Sequence, residues 1–385
     1  MQYRLLVQGV DYSDYTQINS ISITYGRTDV TQQPSPATFN ASLSILPNET
    51  IVPIGLDSII AFQAYDVAAL EWVYLFSGTV SDVSIGLSVW GAGDGIQELQ
   101  ITGVGHLATY LRNNVGTTGF VKAFECDRVA DIVADSTSII NITPSRATGT
   151  YEIAAVSNGN YDALQLLQDT ANSSMSVLCD TPDPDDVGYT PITYTCYLDR
   201  AFLPTATFTT SELMANGLQV NKSLTRIVNK AWVTYGSSSS SISTIYTDAT
   251  SPFAEQTASR STYLHNLSDA NTIAQTLLAS RKDELFELTS LTFNTSTLTD
   301  STISALMSLR NGHRIQISGL PFDELTSFDG FIEGWTWNIN KNGSTFTANV
   351  SNYGQNYPYT LWNNLGGTAT WNTIYTATTT WEDVI

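Results

Sequence analysis

Residues 20–46 read SISITYGRTDVTQQPSPATFNASLSIL. Apolar and polar side chains alternate on both sides of a polar loop, with the apolar positions at Ile21, Ile23, Tyr25, Phe39, Ala41, Leu43 and Ile45. A period of two is typical of a β-strand with one buried face. Gly26, Pro34 and Pro36 interrupt the pattern, because glycine allows unusual dihedral angles and proline cannot donate to a ladder. The stretch predicts two antiparallel strands joined by a polar loop.

The rest of residues 1–112 also has the pattern of strands. Further strands are predicted over residues 58–65, 71–83 and 99–105. The glycine-rich GAGDG at residues 91–95 is followed by neither a helix start nor Lys-Ser/Thr, so it predicts a tight turn and not a phosphate-binding loop. Five or more antiparallel strands suggest a barrel or sandwich. We expect a first β-barrel over residues 1–112, completed by about residues 201–225.

The period of the pattern changes over residues 113–200. One short helix is predicted over residues 127–135 and a second after Asn160, which can cap it. Strands follow over residues 175–179 and 193–198, with an acidic, proline-rich loop between them. These elements predict a small α/β insertion.

Residues 226–355 return to strands around one amphipathic helix. Ser268 can cap this helix, whose apolar stripe consists of Ala270, Ile273, Ala274, Leu277 and Leu278. Strands are predicted over residues 227–235, 284–293 and 313–319. Trp335, Trp337 and Ile339 alternate before Asn342-Gly343, a hairpin signal, and apolar residues return after it. We expect a second β-barrel carrying one helix.

The last section, residues 356–385, is rich in aromatic residues. Trp362, Trp371 and Trp381 recur at a spacing of about ten residues, which is unusual for a disordered linker. Two interpretations stay open: the rings pack on the chain's own barrel, or they form a C-terminal arm that docks a neighbouring protein, since aromatic residues anchor interfaces.

The composition is apolar enough for large cores but poor in charge. Apolar residues make up 42% of the 385 residues and charged residues 14%, while the net charge is -20. A protein that grips DNA needs Lys and Arg against the phosphates, so this chain is not expected to bind DNA. Acidity is commonly a solubility device; in a protein lining a DNA channel it would also keep DNA from adhering.

The residues that could bind a metal or act in catalysis lie far apart in the sequence. His106, His265 and His313 lie in different segments without a metal-binding spacing. The acidic loop at Asp183 and Asp185 lacks the ligands that a calcium loop needs at its fifth and twelfth positions. We therefore expect no metal, no cofactor and no enzymatic activity.

The cysteine content and the hydropathy profile bear on disulfide formation, export and membrane insertion. Cys126, Cys179 and Cys196 are too few for a disulfide scaffold. Cys179 and Cys196 could approach each other on neighbouring strands, but we expect free thiols. No signal-peptide pattern and no apolar run long enough to span a membrane is evident.

Several segments resemble minor tail and baseplate-hub proteins of tailed bacteriophages, in particular those of actinophage type. The resemblance rests on weak motifs in a consistent order along nearly the whole chain: GRTD (26–29), QPSPATF (33–39), FSGTVSDV (76–83), ITGVGHLA (101–108), NYDALQLLQDTANSSMSVLCD (160–180), YTCYLDR (194–200), RIVNKAWVTY (226–235), DANTIAQTLLASR (269–281), RIQISGLP (314–321) and FIEGWTWNI (331–339). The acidic loop near Asp183 and the tryptophan-rich end have no counterpart in it.

The resemblance implies two tail-tube-like β-barrel domains and a small α+β domain in a structural virion protein. It implies a homotrimeric tail hub at the tail tip, made in the bacterial cytoplasm, that joins the hexameric tail tube to threefold tip components and lines the DNA exit channel. Its partners would be a tail-tube or distal tail protein and spike or fibre proteins. The alternatives are a receptor- or glycan-binding tail-tip protein with the three tryptophans as contacts, and a cell-wall hydrolase.

Overall fold

The structure is a computed structural model of the 385-residue chain. It describes residues 2–352 except 29, 47–50, 91–93, 139, 183–190, 203–204, 224–226, 238–239, 250, 283–285, 323–324 and 342. The predicted docking residues Trp362, Trp371 and Trp381 therefore lie outside the described residues, as do most of the glycine-rich turn, the acidic loop and Asn342.

The first section of the chain is a run of strands. They are β1 (Tyr3–Val7), β2 (Val10–Asp11), β3 (Ile21–Gly26), β4 (Thr38–Ile45), β5 (Ile59–Asp66), β6 (Glu71–Trp90) and β7 (Asp94–Val104). The predicted pair from the opening stretch is confirmed, because β3 and β4 run antiparallel with Ile23 opposite Phe39. All seven of its alternating apolar side chains are buried.

The insertion combines short strands with two helices. Its elements are β8 (Asn114–Val115), β9 (Ala123–Phe124), α1 (Glu125–Asp135), β10 (Ile142–Pro144), β11 (Glu152–Ile153), β12 (Tyr161–Asp162), α2 (Ala163–Ser173), β13 (Val177–Asp180) and β14 (Ile192–Thr195). They enclose a core of their own, between Leu107 and Cys196. The cap of α2 is Asp162, not Asn160 as predicted, since the Asp162 side chain accepts from the Gln165 amide.

The third section contains the remaining elements. They are β15 (Thr205–Thr209), β16 (Leu213–Asn221), β17 (Lys230–Ser237), β18 (Ser240–Thr247), β19 (Thr257–Ser261), α3 (Leu267–Arg281), β20 (Glu287–Asn294), α4 (Asp300–Met307), β21 (Arg314–Phe322), β22 (Leu325–Ile339) and β23 (Thr345–Asn352). Asn266 caps α3, two residues before the predicted Ser268, by accepting from the Asp269 amide.

The two outer sections share one 13-stranded sheet, whose main path is β16-β20-β23-β22-β3-β4-β7-β6-β5-β1-β2, with β21 on β22 and β15 on β21. The sections join where β22 pairs with β3, Trp335 opposite Tyr25, and the two rings stack with centroids 5.0 Å apart. A single hydrophobic core runs along this sheet. The prediction of a mainly β chain with a small α/β insertion is thus confirmed.

The first part of the sheet curls back on itself. Strand β1 is six strand spacings from β22, about 29 Å in a flat sheet. Yet the Tyr3 hydroxyl on β1 hydrogen bonds Ser344 Oγ, in the turn that follows β22, at 2.7 Å. Such closure requires the curvature of a barrel.

Two pairings differ from the predicted assignment. Strands β15 and β16, expected to complete the first barrel, pair with β21 and β20. Helix α3, expected on the second barrel, packs on a separate three-stranded sheet of β18, β17 and β19. Alternation identifies which face of a strand is buried but not which strand lies beside it. The limits of the domains themselves stay a prediction.

Candidate assembly site

A buried carboxylate ties the three sections of the chain together. Glu333, in the middle of β22, accepts hydrogen bonds from Arg27 Nε at 2.8 Å and from Arg200 Nη2 at 2.5 Å. Arg27 directly follows β3, and Arg200 lies in the short 3-10 helix Tyr197–Phe202 that leaves the insertion. All three side chains are almost fully buried. The junction therefore fixes the insertion against the seam between β3 and β22.

The electrostatics of this junction favour the ionised carboxylate. Burial alone would raise the pKa of Glu333, but Arg200 and Arg27, with a hydrogen bond from Ser351, outweigh it and lower the pKa to about 2. Burial lowers the pKa of Arg27, and Glu333 opposes that shift. One carboxylate thus serves two guanidinium groups, which leaves the junction with a net positive charge.

The residues of this junction were not predicted as a site. They belong to three of the segments that carry the resemblance: Arg27 to GRTD, Arg200 to YTCYLDR and Glu333 to FIEGWTWNI. The available signal was Glu333 itself, since an acidic residue inside an apolar strand must find a buried partner. The identity of that partner depends on contacts across 306 and 133 positions of sequence.

A second buried carboxylate, Asp180 at the end of β13, holds the insertion to the first section. Its oxygens accept from the Ala37 amide at 2.8 Å and the Leu107 amide at 2.6 Å. Burial raises the pKa of Asp180 to about 7, against the lowering effect of the two amides. This carboxylate satisfies backbone donors at two loops and positions the insertion.

A small cleft of about 50 Å³ opens beside the Glu333 junction. Four of the chain's 16 cationic residues line it, Arg27, Arg200, Arg260 and Arg281, and no carboxylate is among its described lining residues. Nη1 of Arg260 is buried without a hydrogen-bond partner in the described part of the chain. Burial, together with Arg27 and Arg281, lowers the pKa of Arg260 to about 10. The cleft has the chemistry to accept an oxyanion such as a carboxylate.

Strand β6 offers a long open edge. Strand β5 pairs with it only as far as Thr79, whereas β7 follows it to Trp90. From Ser81 to Trp90 no described strand lies on the other side of β6. This segment, SDVSIGLSVW, contains a single charged residue and no proline, and Ile85 is 72% exposed. Edges that avoid pairing normally carry charges, prolines or bulges. This edge has a bulge between Val80 and Asp82 at its start, and beyond Asp82 it is suited to pair with another chain.

The small sheet presents a second exposed apolar surface. Trp232 on β17 lies opposite Ile245 on β18, and the two residues are 42% and 50% exposed. Their neighbours Ala231 and Val233 point to the other face, where they are buried in the core that contains α3. Exposed tryptophan beside an aliphatic residue is typical of contact surfaces between proteins.

The described residues also contain one serine–histidine pair. Ser77 Oγ lies 2.8 Å from His106 Nε2, the spacing of a nucleophile and its base. However, Ser77 is only 1% exposed, and His106 Nδ1 is buried with no partner among the described residues to orient the ring. Burial also lowers the pKa of His106. His106 lines a cavity of about 560 Å³, but the buried Ser77 hydroxyl and the unoriented imidazole do not form a nucleophile with its base.

One cluster within the described residues has the composition of a metal site, namely Glu125, Cys126 and Cys196. The Glu125 oxygens are already occupied by the amides of Thr150 and Tyr151, at 2.8 Å and 2.6 Å. The cluster is thus short of the four ligands of a structural zinc site. Among the residues that the structure describes, no helix combines the length and apolar character needed to cross a bilayer.

The fold matches solved structures of tail proteins over most of the chain. A tail protein from Neisseria meningitidis has a TM-score of 0.61 at 13% identity, covering 92% of this chain and 98% of its own. The 43 kDa tail protein of prophage MuSo2 from Shewanella oneidensis has a TM-score of 0.60 at 13% identity, covering 91% and 98%.

A third matching structure is a component of a bacterial secretion system. A type VI secretion system component from E. coli, similar in structure to the bacteriophage T4 tail proteins gp27 and gp5, has a TM-score of 0.53 at 12% identity, covering 92% of this chain and 78% of its own. No family model and no curated protein matches the sequence. The chain therefore has the fold of phage tail proteins, and the likeness extends to the fold alone.

Proposed function

We propose that this protein is a structural component of a phage tail, without catalytic activity. In the finer form of the proposal it is a homotrimeric tail hub at the tail tip. Three copies, each with two β-modules, would present about six similar positions to a hexameric tail tube on one side and threefold components on the other. Its partners are then a tail-tube or distal tail protein and tail-tip, spike or fibre proteins.

One observation carries the proposal, namely the fold shared with two tail proteins over more than 90% of this chain. The likeness includes the insertion as well as the large sheet, since a match to the sheet alone would leave residues 113–200 uncovered. A shared architecture of this extent favours a shared structural role, although fold by itself does not determine function.

The open edge of β6 supports assembly into a closed ring. A strand edge about 33 Å long pairs readily with a strand of another chain. In a ring with cyclic symmetry each copy uses one surface to contact the next, and closure leaves no edge exposed. The edge from Ser81 to Trp90 is the surface we assign to this contact.

The charge of the chain supports a channel through which DNA passes without specific binding. With 36 acidic and 16 basic residues, the protein repels phosphate at long range. A channel wall of this kind lets DNA slide, because it offers few cations to hold the backbone.

The experiment compares two substitutions that each introduce a negative charge, and it measures the mass of the assembly in solution. Ile85→Asp introduces a charge at the proposed contact, and Val121→Asp does so at another exposed aliphatic residue, 76% exposed and on the insertion. We expect light scattering to show a trimer for the original chain and for V121D, and a monomer for I85D. A chain that is monomeric before any substitution, alone and with its tail-tube partner, contradicts the proposal.

A further inference from the structure

Two cysteines distant in sequence meet inside the insertion. Cys126 lies in the first turn of α1, and Cys196 directly follows β14. Their sulfur atoms are 3.2 Å apart, although the residues are separated by 70 positions. Both side chains are buried, with exposures of 2% and 1%. The predicted neighbouring strands do pair, β13 with β14, but the Cys179 sulfur contacts Thr193 Oγ1 on β14 and not Cys196.

We propose that Cys126 and Cys196 form a disulfide when the protein meets an oxidant, so that a covalent bond joins α1 to β14. A disulfide requires sulfur atoms about 2.0 Å apart, so they must approach each other by roughly 1.2 Å. Small rotations of two side chains supply a movement of this size. The bond would form after the protein leaves the reducing cytoplasm, where thiols persist.

The surroundings hold the two sulfur atoms together. The Cys196 amide donates to Ser145 Oγ at 3.0 Å, which fixes the chain after β14. On the other side, Glu125 accepts from the amides of Thr150 and Tyr151 and fixes the first turn of α1. Because both backbones are anchored, the two cysteine residues stay next to each other in the core of the insertion.

The contact between the two thiols favours the ionisation of one of them. Either sulfur atom can be the hydrogen-bond donor, so the thiol that keeps its proton stabilises the thiolate of the other. The thiolate is the reactive form of cysteine, and the second sulfur atom lies 3.2 Å away, where it can complete the bond.

The chemistry balances with a peroxide as the oxidant. The thiolate of one cysteine attacks one peroxide oxygen, the O–O bond breaks, and hydroxide leaves and takes up the proton lost by that thiol to form water. The second thiol then loses its proton and attacks the sulfenic sulfur, which forms the S–S bond and breaks the S–O bond. The departing hydroxide takes up that second proton. Two thiols and one hydrogen peroxide give one disulfide and two waters.

The test counts thiols in the intact, folded chain. The protein is incubated with hydrogen peroxide, quenched, unfolded in denaturant with iodoacetamide, and analysed by mass spectrometry. We expect two of the three cysteines to escape alkylation, a mass lower by two hydrogens before alkylation, and a cross-linked pair of peptides that contains Cys126 and Cys196.

Three variants make the assignment specific. Cys179→Ser should form the same cross-link, whereas Cys126→Ser and Cys196→Ser should form none. Three alkylated cysteines after treatment of the original chain, or a cross-link that includes Cys179, overturns the proposal. So does zinc bound in a 1:1 ratio that protects both thiols, since it would make the cluster with Glu125 a metal site. The peptide map of the original chain decides the question even if a variant fails to fold.

Discussion

Nε of Arg27 donates a hydrogen bond to Oε2 of Glu333 at 2.8 Å, across 306 positions of sequence. Arg27 follows β3 and Glu333 lies within β22, so the contact spans the seam between the first and third sections of the chain. Both side chains are buried, and a buried ion pair is costly unless each charge keeps its partner. The seam therefore depends strongly on one carboxylate.

Removing the charge of Glu333 should destabilise the fold strongly. The Glu333→Gln substitution keeps the shape of the side chain but leaves Arg27 and Arg200 buried beside a neutral group. Loss of one member of a buried pair costs about 3–5 kcal/mol. We expect a decrease of this size in the free energy of unfolding, measured by urea denaturation.

The matched control is Asp329→Asn on the same strand. Asp329 pairs with Arg314 at a partly exposed position, where ion pairs contribute about 1 kcal/mol or less. Equal losses for the two variants would show that the Glu333 junction has no special role.

Protonation of Glu333 should lower the free energy of unfolding as the pH falls. Its ordinary pKa of 4.5 is lowered in the folded chain to about 2. A depressed pKa means that the unfolded chain binds the proton more readily, so the stabilisation is present above 4.5 and is lost as the pH falls through 2. Urea midpoints measured from pH about 5 to about 2.5 should decrease less steeply in E333Q than in the original chain. Parallel profiles would show that the ionised Glu333 does not stabilise the fold.

Gly26 should tolerate no side chain. Its φ is +77°, and a Cβ atom there would lie 2.4 Å from the carbonyl oxygen of Glu333 on β22. Gly26→Ala should cost about 2–5 kcal/mol, from the left-handed backbone and the overlap together. Gly9 has nearly the same φ, +76°, but open space around it, so Gly9→Ala should cost only about 1–2 kcal/mol. If the two losses in urea stability are the same, the close approach of β3 and β22 is not what requires glycine.

Local patterns predicted the elements well. The alternation in residues 20–46 correctly identified β3, β4 and every buried side chain on them, because a period of two depends only on the strand itself and on one apolar face. The stripe from Ala270 to Leu278 identified α3 for the same reason. Caps were displaced by two positions, at Asp162 and Asn266, since neighbouring polar residues compete for the same amides.

Local patterns could not predict which strands and side chains contact each other in the folded chain. Nothing in the alternation of β15 or β16 distinguishes a neighbour in the first section from one in the third. The Glu333 junction and the thiol pair of Cys126 and Cys196 were missed for a related reason. Each depends on residues brought together by the topology, and a single sequence shows spacing along the chain but not distance across it.

The role of the C-terminal tryptophans is a separate proposal. If Trp362, Trp371 and Trp381 form a docking arm, replacing all three with alanine should leave the urea midpoint unchanged and abolish co-purification with the neighbouring tail protein. A lower midpoint would favour packing on the chain's own barrel. Tails that assemble normally but no longer adsorb to host cells would favour the receptor- or glycan-binding alternative.

The proposed function requires copies of this chain to close a ring around an axial channel in a phage tail. Electron microscopy of the assembled particle tests it most directly, because it gives the symmetry and the position of the chain at once. We expect three copies around a threefold axis, with the β-modules surrounding an open channel continuous with the tail tube. A chain found off the axis, or an assembly without a channel, would contradict it.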